Sequence, residues 1–256
     1  SESATSFPKP CILWAPPRSC STAMERSVMT HPDVQVFHEH LADCYYFGVD
    51  RCEKTPAATM ESVESSLLLR DTTYEAQLAE MLSKHGGESN KVCFSKELSI
   101  YYQSEKMPKE TMAQFQHCFL IRSPAKVMRS FWKVSEKSHD GDSSTYFDSD
   151  EAGFREIAEI FKVVTEDLGQ SVVLFDADDL MAKPEQVMAA FCEAVGLAPN
   201  DEMTTWKAEM PEAWKKWPGW HDDAAKSTGF VKAAPRSGPQ KVEDPLPDVV
   251  AKAIED

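Results

Sequence analysis

Five short runs in this chain are apolar almost from end to end: Cys11 to Ala15, Val34 to His38, Lys91 to Ser95, His117 to Arg122 and Val172 to Asp176. A strand with one wet face alternates apolar and polar residues, so an unbroken apolar run belongs to a strand covered on both faces. The stretches between them carry helical spacing instead. Ser21 to Thr30 follows the first run, and Tyr74 to Lys84 places Leu78, Met81 and Leu82 on one face. Pro124 to Glu136 starts with proline at a first turn, and Phe154 to Leu168 repeats Phe154, Ile157, Ile160, Phe161 and Val164 as a stripe. Pro184 to Val195 closes at Gly196, a residue suited to a left-handed helix cap. Strands alternating with helices predict an α/β, three-layer fold, a central parallel sheet with helices on both faces. Such sheets take ligands beyond the carboxyl ends of their strands. Arg18, His38, Glu39, Lys96 and Arg122 all fall at those ends.

The first strand leads into Pro16-Pro17-Arg18-Ser19-Cys20-Ser21-Thr22-Ala23. A strand-to-helix turn aims backbone N–H groups at one place, at the positive end of a helix dipole, and so makes an anion site. Arg18 adds a cation, and Ser19, Ser21 and Thr22 add hydroxyls. No Gly-Lys-Ser or Gly-Lys-Thr occurs, so the magnesium-holding Walker loop of ATPases and kinases does not fit. The plain alternative is a corner whose helix is capped by Ser19 or Ser21. A second strand–turn–helix spans His117 to Trp132, with Arg122 ending the strand and Ser130 eight residues later. An arginine fork plus a hydroxyl suits a phosphate monoester; a surface arginine beside a helical serine is the ordinary alternative.

The formal net charge of −15 repels nucleic acid and anionic membranes, so neither is expected as a partner, and an anionic ligand needs a local basic pocket. No apolar run approaches the ~20 residues that span a bilayer. Seven cysteines, an odd number with no C-x-x-C pair, argue against a disulfide framework or a zinc site. Cys20 either fills a tight turn or, beside cations, carries a lowered pKa. The expectation is one domain over residues 1–256, cytoplasmic, with residues 1–10 a disordered leader and residues 206–256 an extension packing on the site. Asp43 to Leu69 and the tail holding Trp206, Trp214, Trp217 and Trp220 are expected to wall an aromatic pocket, and Ser138 to Asp150 to be a solvated connection.

Taken together, the two loops resemble the sulfotransferases that use 3′-phosphoadenosine 5′-phosphosulfate (PAPS). Pro17-Arg18-Ser19-Cys20-Ser21-Thr22 resembles that family's 5′-phosphosulfate loop, and Arg122 with Ser130 its 3′-phosphate pair. Val173 to Leu180, Lys183-Pro184-Glu185 and Val195-Gly196-Leu197 resemble its structural strand–helix segment. The likeness spans Cys11 to Leu197. Cys20 stands where the family often has glycine, and Ser95-Lys96-Glu97-Leu98 stands where cytosolic members carry Lys-Thr-His. Ser227-Thr228-Gly229 is a loose analogue of their Arg-Lys-Gly, expected near the 3′-phosphate or adenine.

The resemblance implies a P-loop-like sulfotransferase fold and in-line transfer of a sulfuryl group from PAPS to a hydroxyl or amine of a small-molecule acceptor, leaving 3′-phosphoadenosine 5′-phosphate (PAP). No metal is expected, and the protein is expected as a monomer or homodimer. Arg18 is assigned to the 5′-phosphate, with Pro17, Ser19, Cys20, Ser21 and Thr22 around it. His38 and Glu39 are the candidate bases. Relatives with a glutamate base favour Glu39, whose pKa burial would raise. Glu39 can instead be the ion-pair partner of Lys96, and Lys96 can stabilise the sulfuryl oxygens. His31 and His40 are expected to be exposed or capping. A kinase-like nucleotide transferase and a non-catalytic nucleotide-binding module are the competing readings.

Overall fold

The computed structural model describes residues 9–49, 51–52, 72–87, 91–138, 147–217, 219–230 and 246–255. The expected leader lies outside them, apart from residues 9 and 10. The five apolar runs form β1 (Cys11–Ala15), β2 (Val34–His38), β3 (Val92–Leu98), β4 (Gln116–Ile121) and β5 (Val173–Asp176). They pair in the order β2-β3-β1-β4-β5, every pair parallel. β3 runs three residues beyond the apolar segment, to Leu98. Ser95, Lys96 and Glu97 continue it as fully buried polar residues, which a search for apolar runs does not see.

The helices are α1 (Ser21–Val28), α2 (Ala42–Phe47), α3 (Tyr74–Lys84), α4 (Lys109–Met112), α5 (Pro124–Ser138), α6 (Phe154–Lys162), α7 (Ala177–Ala182), α8 (Pro184–Val195), α9 (Asp222–Lys226) and α10 (Asp248–Glu255). Local chemistry sets several ends. Thr73 caps α3 by accepting from the Ala76 N–H, and Asp176 caps α7 by accepting from Asp178 and Asp179. Gly196 ends α8 at φ 72°. α6 stops early and relaxes into a π-type turn over Val163–Asp167.

Alternation along β1 makes the layers. Ile12 and Trp14 point to one face, where Tyr74, Leu78 and Met81 of α3 and Ile160 of α6 close over them. Cys11, Leu13 and Ala15 point to the other, against Met24 and Val28 of α1 and Met188, Phe191 and Val195 of α8. Both faces are thus sealed, at roughly 1.5–3 kcal/mol for each large apolar side chain buried. Of the α6 stripe, Ile160 and Val164 are buried, whereas Phe161 stays 39% exposed with its ring against Phe119. Trp14 is buried with its polar atom matched: Nε1 donates to His117 Nδ1 at 3.0 Å, and His117 Nε2 donates to the Met112 carbonyl at 2.9 Å. Burial holds the His117 imidazole down at about 4, so it is neutral and both bonds keep their direction. Among the described residues no helix is long and apolar enough to cross a membrane.

Candidate active site

The tips of β1, β2, β3 and β4 meet at one end of the sheet, and two chambers open there. The first, about 310 Å³, is lined by Arg18, Ser21, Thr22, Arg122 and Ser130, with Trp220, Ser227 and Gly229 opposite. The second, about 180 Å³, is mostly aromatic: Tyr46, Tyr101, Phe131, Trp217 and Trp220 wall it, and Pro17, Glu39 and His221 reach into it. Trp220 lines both, so they are neighbours.

The loop after β1 makes the polar chamber. Arg18 and Cys20 sit at φ 63° and 67°, a left-handed backbone that is costly without glycine and that turns the chain sharply into α1. Cys20 occupies the N-cap position and its side chain makes no capping bond, so neither Ser19 nor Ser21 caps the helix. A helix leaves its first N–H groups without intrahelical partners; here the Ala23 N–H already bonds the Cys20 carbonyl at 3.1 Å, and the uncapped start leaves those of Ser21 and Thr22 for a ligand. The expected set divides here. Ser21 and Thr22 line the chamber. Ser19 is fully buried and its hydroxyl donates back to the Pro16 carbonyl at 2.7 Å, so it braces the turn. Burial pushes the Cys20 thiol up, against the pull of Arg122 and Arg18, which corrects the lowered value that neighbouring cations suggested.

The two arginine sites are one site. Arg18 Nε donates to Ser130 Oγ at 3.0 Å, and Arg122 donates to the Arg18 carbonyl at 2.7 Å. Arg18 also donates to the Trp220 carbonyl at 2.9 Å, tying the loop to the tail. Arg122 Nε is buried with no partner, a donor kept dry and unspent. Asp223 lines the same chamber and favours the charged form of Arg18, which burial lowers. Of the proposed Ser227-Thr228-Gly229 segment, Ser227 and Gly229 line the chamber and Thr228 does not. The Ser227 hydroxyl is already engaged, accepting from Trp206 Nε1 and donating to the Ala224 carbonyl.

Beneath the aromatic chamber lies a buried charged network. Lys96, fully buried, donates to Glu39 Oε1 and stands 3.7 Å from Glu25. The Tyr101 hydroxyl donates to the other Glu39 oxygen at 2.8 Å. Glu25, also fully buried, faces His38 Nδ1 at 2.8 and 2.9 Å and accepts from Trp214 Nε1 at 3.2 Å. A carboxylate only accepts, so His38 Nδ1 carries its proton there. Glu39 has φ 44°, and this turn in the strand end brings Glu39 and His38 to the same side, Nε2 to Oε1 3.9 Å, where strict alternation would separate them.

The electrostatics reverse one expectation. Burial alone would raise the Glu39 carboxyl, but Lys96, then His38 and His221, outweigh it and hold it at about 2. Burial tends to lower Lys96, yet Glu39 and Glu25 raise it above its ordinary value. Lys96 and His38 line neither chamber, so the expected contact of Lys96 with sulfuryl oxygens has no geometry here; its partner is Glu39. Next to it, burial pushes Glu97 up to about 8, though the Ser95 hydroxyl and the Leu41 N–H favour its charge. His31 and His40 are not free surface groups. His31 is buried between the Ala198 carbonyl and the Asp33 N–H, and His40 lies 3.2 Å from Glu80.

His221 is the residue that sequence reasoning did not single out. It comes from the tail, lines the aromatic chamber, and is 6% exposed. Its Nδ1 lies 3.3 Å from Thr22 Oγ1, and its Nε2 is buried without a partner. Burial and Lys96 press its pKa down to about 3, so the ring is neutral at pH 7. One ligand-type atom from each of His38, Glu39 and His221 falls within 4.8 Å of the others. The Lys96 ammonium, bonded to Glu39, opposes a metal ion at that point. Tyr46 and Trp217 come from the two stretches expected to wall a pocket; residues 53–71 of the first stretch lie outside the described residues. Residues 139–146 of the expected solvated connection also lie outside them, while Glu151 just beyond it lines the aromatic chamber.

A family model described as a sulfotransferase domain matches residues 10–254. Two curated relatives from Arabidopsis thaliana, the branched-chain-amino-acid aminotransferase-like proteins 2 and 1, are each 27% identical, over 91% and 88% of this chain. The alignments span only 37% and 38% of those relatives' own length. The crystal structure of a sulfotransferase from Alicyclobacillus acidocaldarius is 13% identical, covers 83% of this chain and 90% of its own, and superimposes with a TM-score of 0.52. That likeness bears on the fold.

Proposed function

We propose, since the chain belongs to the sulfotransferase domain family, that it transfers the sulfuryl group of PAPS to a hydroxyl of a small acceptor held in the aromatic chamber. The observation that carries this reading is the junction of two unlike chambers. One has two arginines, an uncapped helix start and an unpartnered Arg122 Nε; the other has aromatic walls and, in His221, a buried ring nitrogen without a partner. The donor's phosphates belong in the first, and the acceptor in the second.

In-line displacement at sulfur needs the acceptor oxygen, the sulfur and the leaving phosphate oxygen in a row, so the protein's work is positioning and charge stabilisation. Arg18 and the N–H groups of Ser21 and Thr22 meet the charge that develops on the leaving phosphate. Arg122 and Ser130 hold the 3′-phosphate, which requires the Arg18–Ser130 hydrogen bond to yield to the donor. The acceptor's proton is assigned to His221 Nε2, the ring nitrogen that has no hydrogen-bond partner. Glu39 is not the base, because both its oxygens are already engaged, by Lys96 and by Tyr101, whereas His221 Nε2 has no partner. Glu39 serves as the fixed negative charge that steadies the imidazolium once His221 is protonated. Glu25 and His38 support that arrangement from behind.

Thermal-shift titration with PAP against ATP, each with and without Mg²⁺, tests the donor. Selective stabilisation by PAP without metal is expected. Stabilisation by ATP alone, and only with Mg²⁺, would place the chain among kinase-like transferases.

A further inference from the structure

Resting on that reading, we infer that the acceptor is a cationic alcohol, with its hydroxyl at His221 and an ammonium group at the outer end of the aromatic chamber. Three observations lead there. The chamber walls are electron-rich rings, with Tyr46, Tyr101, Phe131, Trp217 and Trp220 around one small volume. Ring faces attract cations, most strongly when water is excluded, and a cage of such rings is a recurring way to hold an ammonium. The polar groups among them are two carboxylates, Glu39 and Glu151, and a neutral histidine with a buried, unpartnered Nε2. Among the described residues no arginine or lysine lines this chamber.

The second observation is the approach. Ile100 and Glu151 line both the aromatic chamber and a larger cleft of about 660 Å³. Six carboxylates line that cleft, Glu105, Asp148, Asp150, Glu151, Glu156 and Glu159, against three cations, Arg51, Lys106 and Arg155. Arg155 stands 3.8 Å from Asp150. Burial, with Asp150 and Glu159, holds the Glu156 carboxyl above its ordinary value even though Arg155 pulls it down. An anionic acceptor entering through this cleft would meet an excess of negative charge. A neutral one would gain nothing from it. A cation is drawn in.

The third is where charge already lies: the ammonium near the Trp217 ring, that of Lys216, is matched by Asp43. Lys216 Nζ lies 5.1 Å from the Phe47 ring centre and 5.8 Å from that of Trp217, while pairing with Asp43. The two ends of the chamber differ in what they offer a ligand. Glu39, bonded to Lys96, lies with His221 at one end, whereas Glu151 also lines the acidic cleft. The hydroxyl therefore goes inward and the cation outward.

Three para-substituted benzyl alcohols of one shape test this: one bears trimethylammonium, one tert-butyl and one carboxylate. Binding is read by quenching of tryptophan fluorescence with PAP present, and turnover with labelled PAPS. The ammonium compound is expected to bind about tenfold or more tighter than its tert-butyl isostere, and the carboxylate weakest. Glu151→Gln should shrink the ammonium-to-tert-butyl affinity ratio by roughly threefold or more, and Glu156→Gln by less, as rim charges do. The inference falls if the tert-butyl compound binds as tightly as the ammonium, or if the ratio survives both substitutions. Repeating the series without PAP keeps the two readings apart: failure of PAP to bind strikes the donor assignment, while the ranking of the three alcohols still decides the acceptor.

Discussion

Glu39→Gln keeps the side chain's shape and removes its charge, leaving Lys96 buried with Glu25 as its nearest carboxylate, 3.7 Å away. The size of the effect follows from the carboxyl's folded-state pKa, about 2 against an ordinary 4.5. At about 1.4 kcal/mol for each pH unit, the difference amounts to roughly 3 kcal/mol favouring the charged form in the fold. Breaking a buried pair from one side costs about 3–5 kcal/mol, which agrees. The sign is fixed by the direction. The folded value is depressed, so the stabilisation is full above about 4.5 and drains away as pH falls towards about 2. Urea denaturation of the wild type and Glu39→Gln, followed by tryptophan fluorescence between pH 7 and pH 2.5, reads this directly. Titrating groups remote from Glu39 contribute alike to both proteins and cancel in the difference. The variant should be about 3 kcal/mol less stable at pH 7, with the gap closing steadily below pH 4.5. Adding Lys96→Met should recover much of the loss at neutral pH, because the unpaired ammonium goes with it. A gap of equal size at pH 7 and pH 3 would mean that Glu39 is not the charged partner of Lys96.

Replacing His221 with Ala should lower kcat by about 10²- to 10⁴-fold while the thermal shift with PAP persists. In the wild-type protein the unliganded ring at about 3 should leave kcat/KM flat from pH 8 down to pH 5, and an inflection near the ordinary histidine value would contradict the burial of His221. Arg122→Gln should weaken PAP binding by roughly 10- to 100-fold, measured calorimetrically, because a charged hydrogen bond to phosphate is lost. Gly153 stands at φ 65° with Ser99 Oγ 2.5 Å and Ile100 N 2.8 Å from where a Cβ would lie. Gly153→Ala should therefore destabilise by more than about 2 kcal/mol in urea, and an unchanged midpoint would show that the turn gives way.

What could be read along the chain was whatever repeats at a short period. Both faces of β1 are buried, so its five residues are apolar without a break, and the boundaries Cys11 and Ala15 follow from that alone. Eight residues after Arg122, the helix begun at Pro124 turns Ser130 back towards the strand tip, within 3.0 Å of Arg18. What escaped needed partners distant in sequence. Glu25 sits beside Arg26 in α1, and nothing adjacent to it in the chain marks it out. It is fully buried, and what makes that tolerable is His38, Lys96 and Trp214, from three other segments. His221 escaped for the same reason: nothing near it in the tail marks it, and its meaning comes from Thr22 and Glu39, each about 180–200 residues earlier. For Glu39 the sequence offered two readings, a base whose pKa burial raises and an ion-pair partner of Lys96, and they pull the carboxyl in opposite directions. The pair is what the fold makes: Lys96 donates to Glu39 Oε1, and its ammonium outweighs burial. A buried charge therefore cannot be assigned a base's role from its position along the chain, because the sign of its pKa shift depends on which opposite charge the sheet places against it.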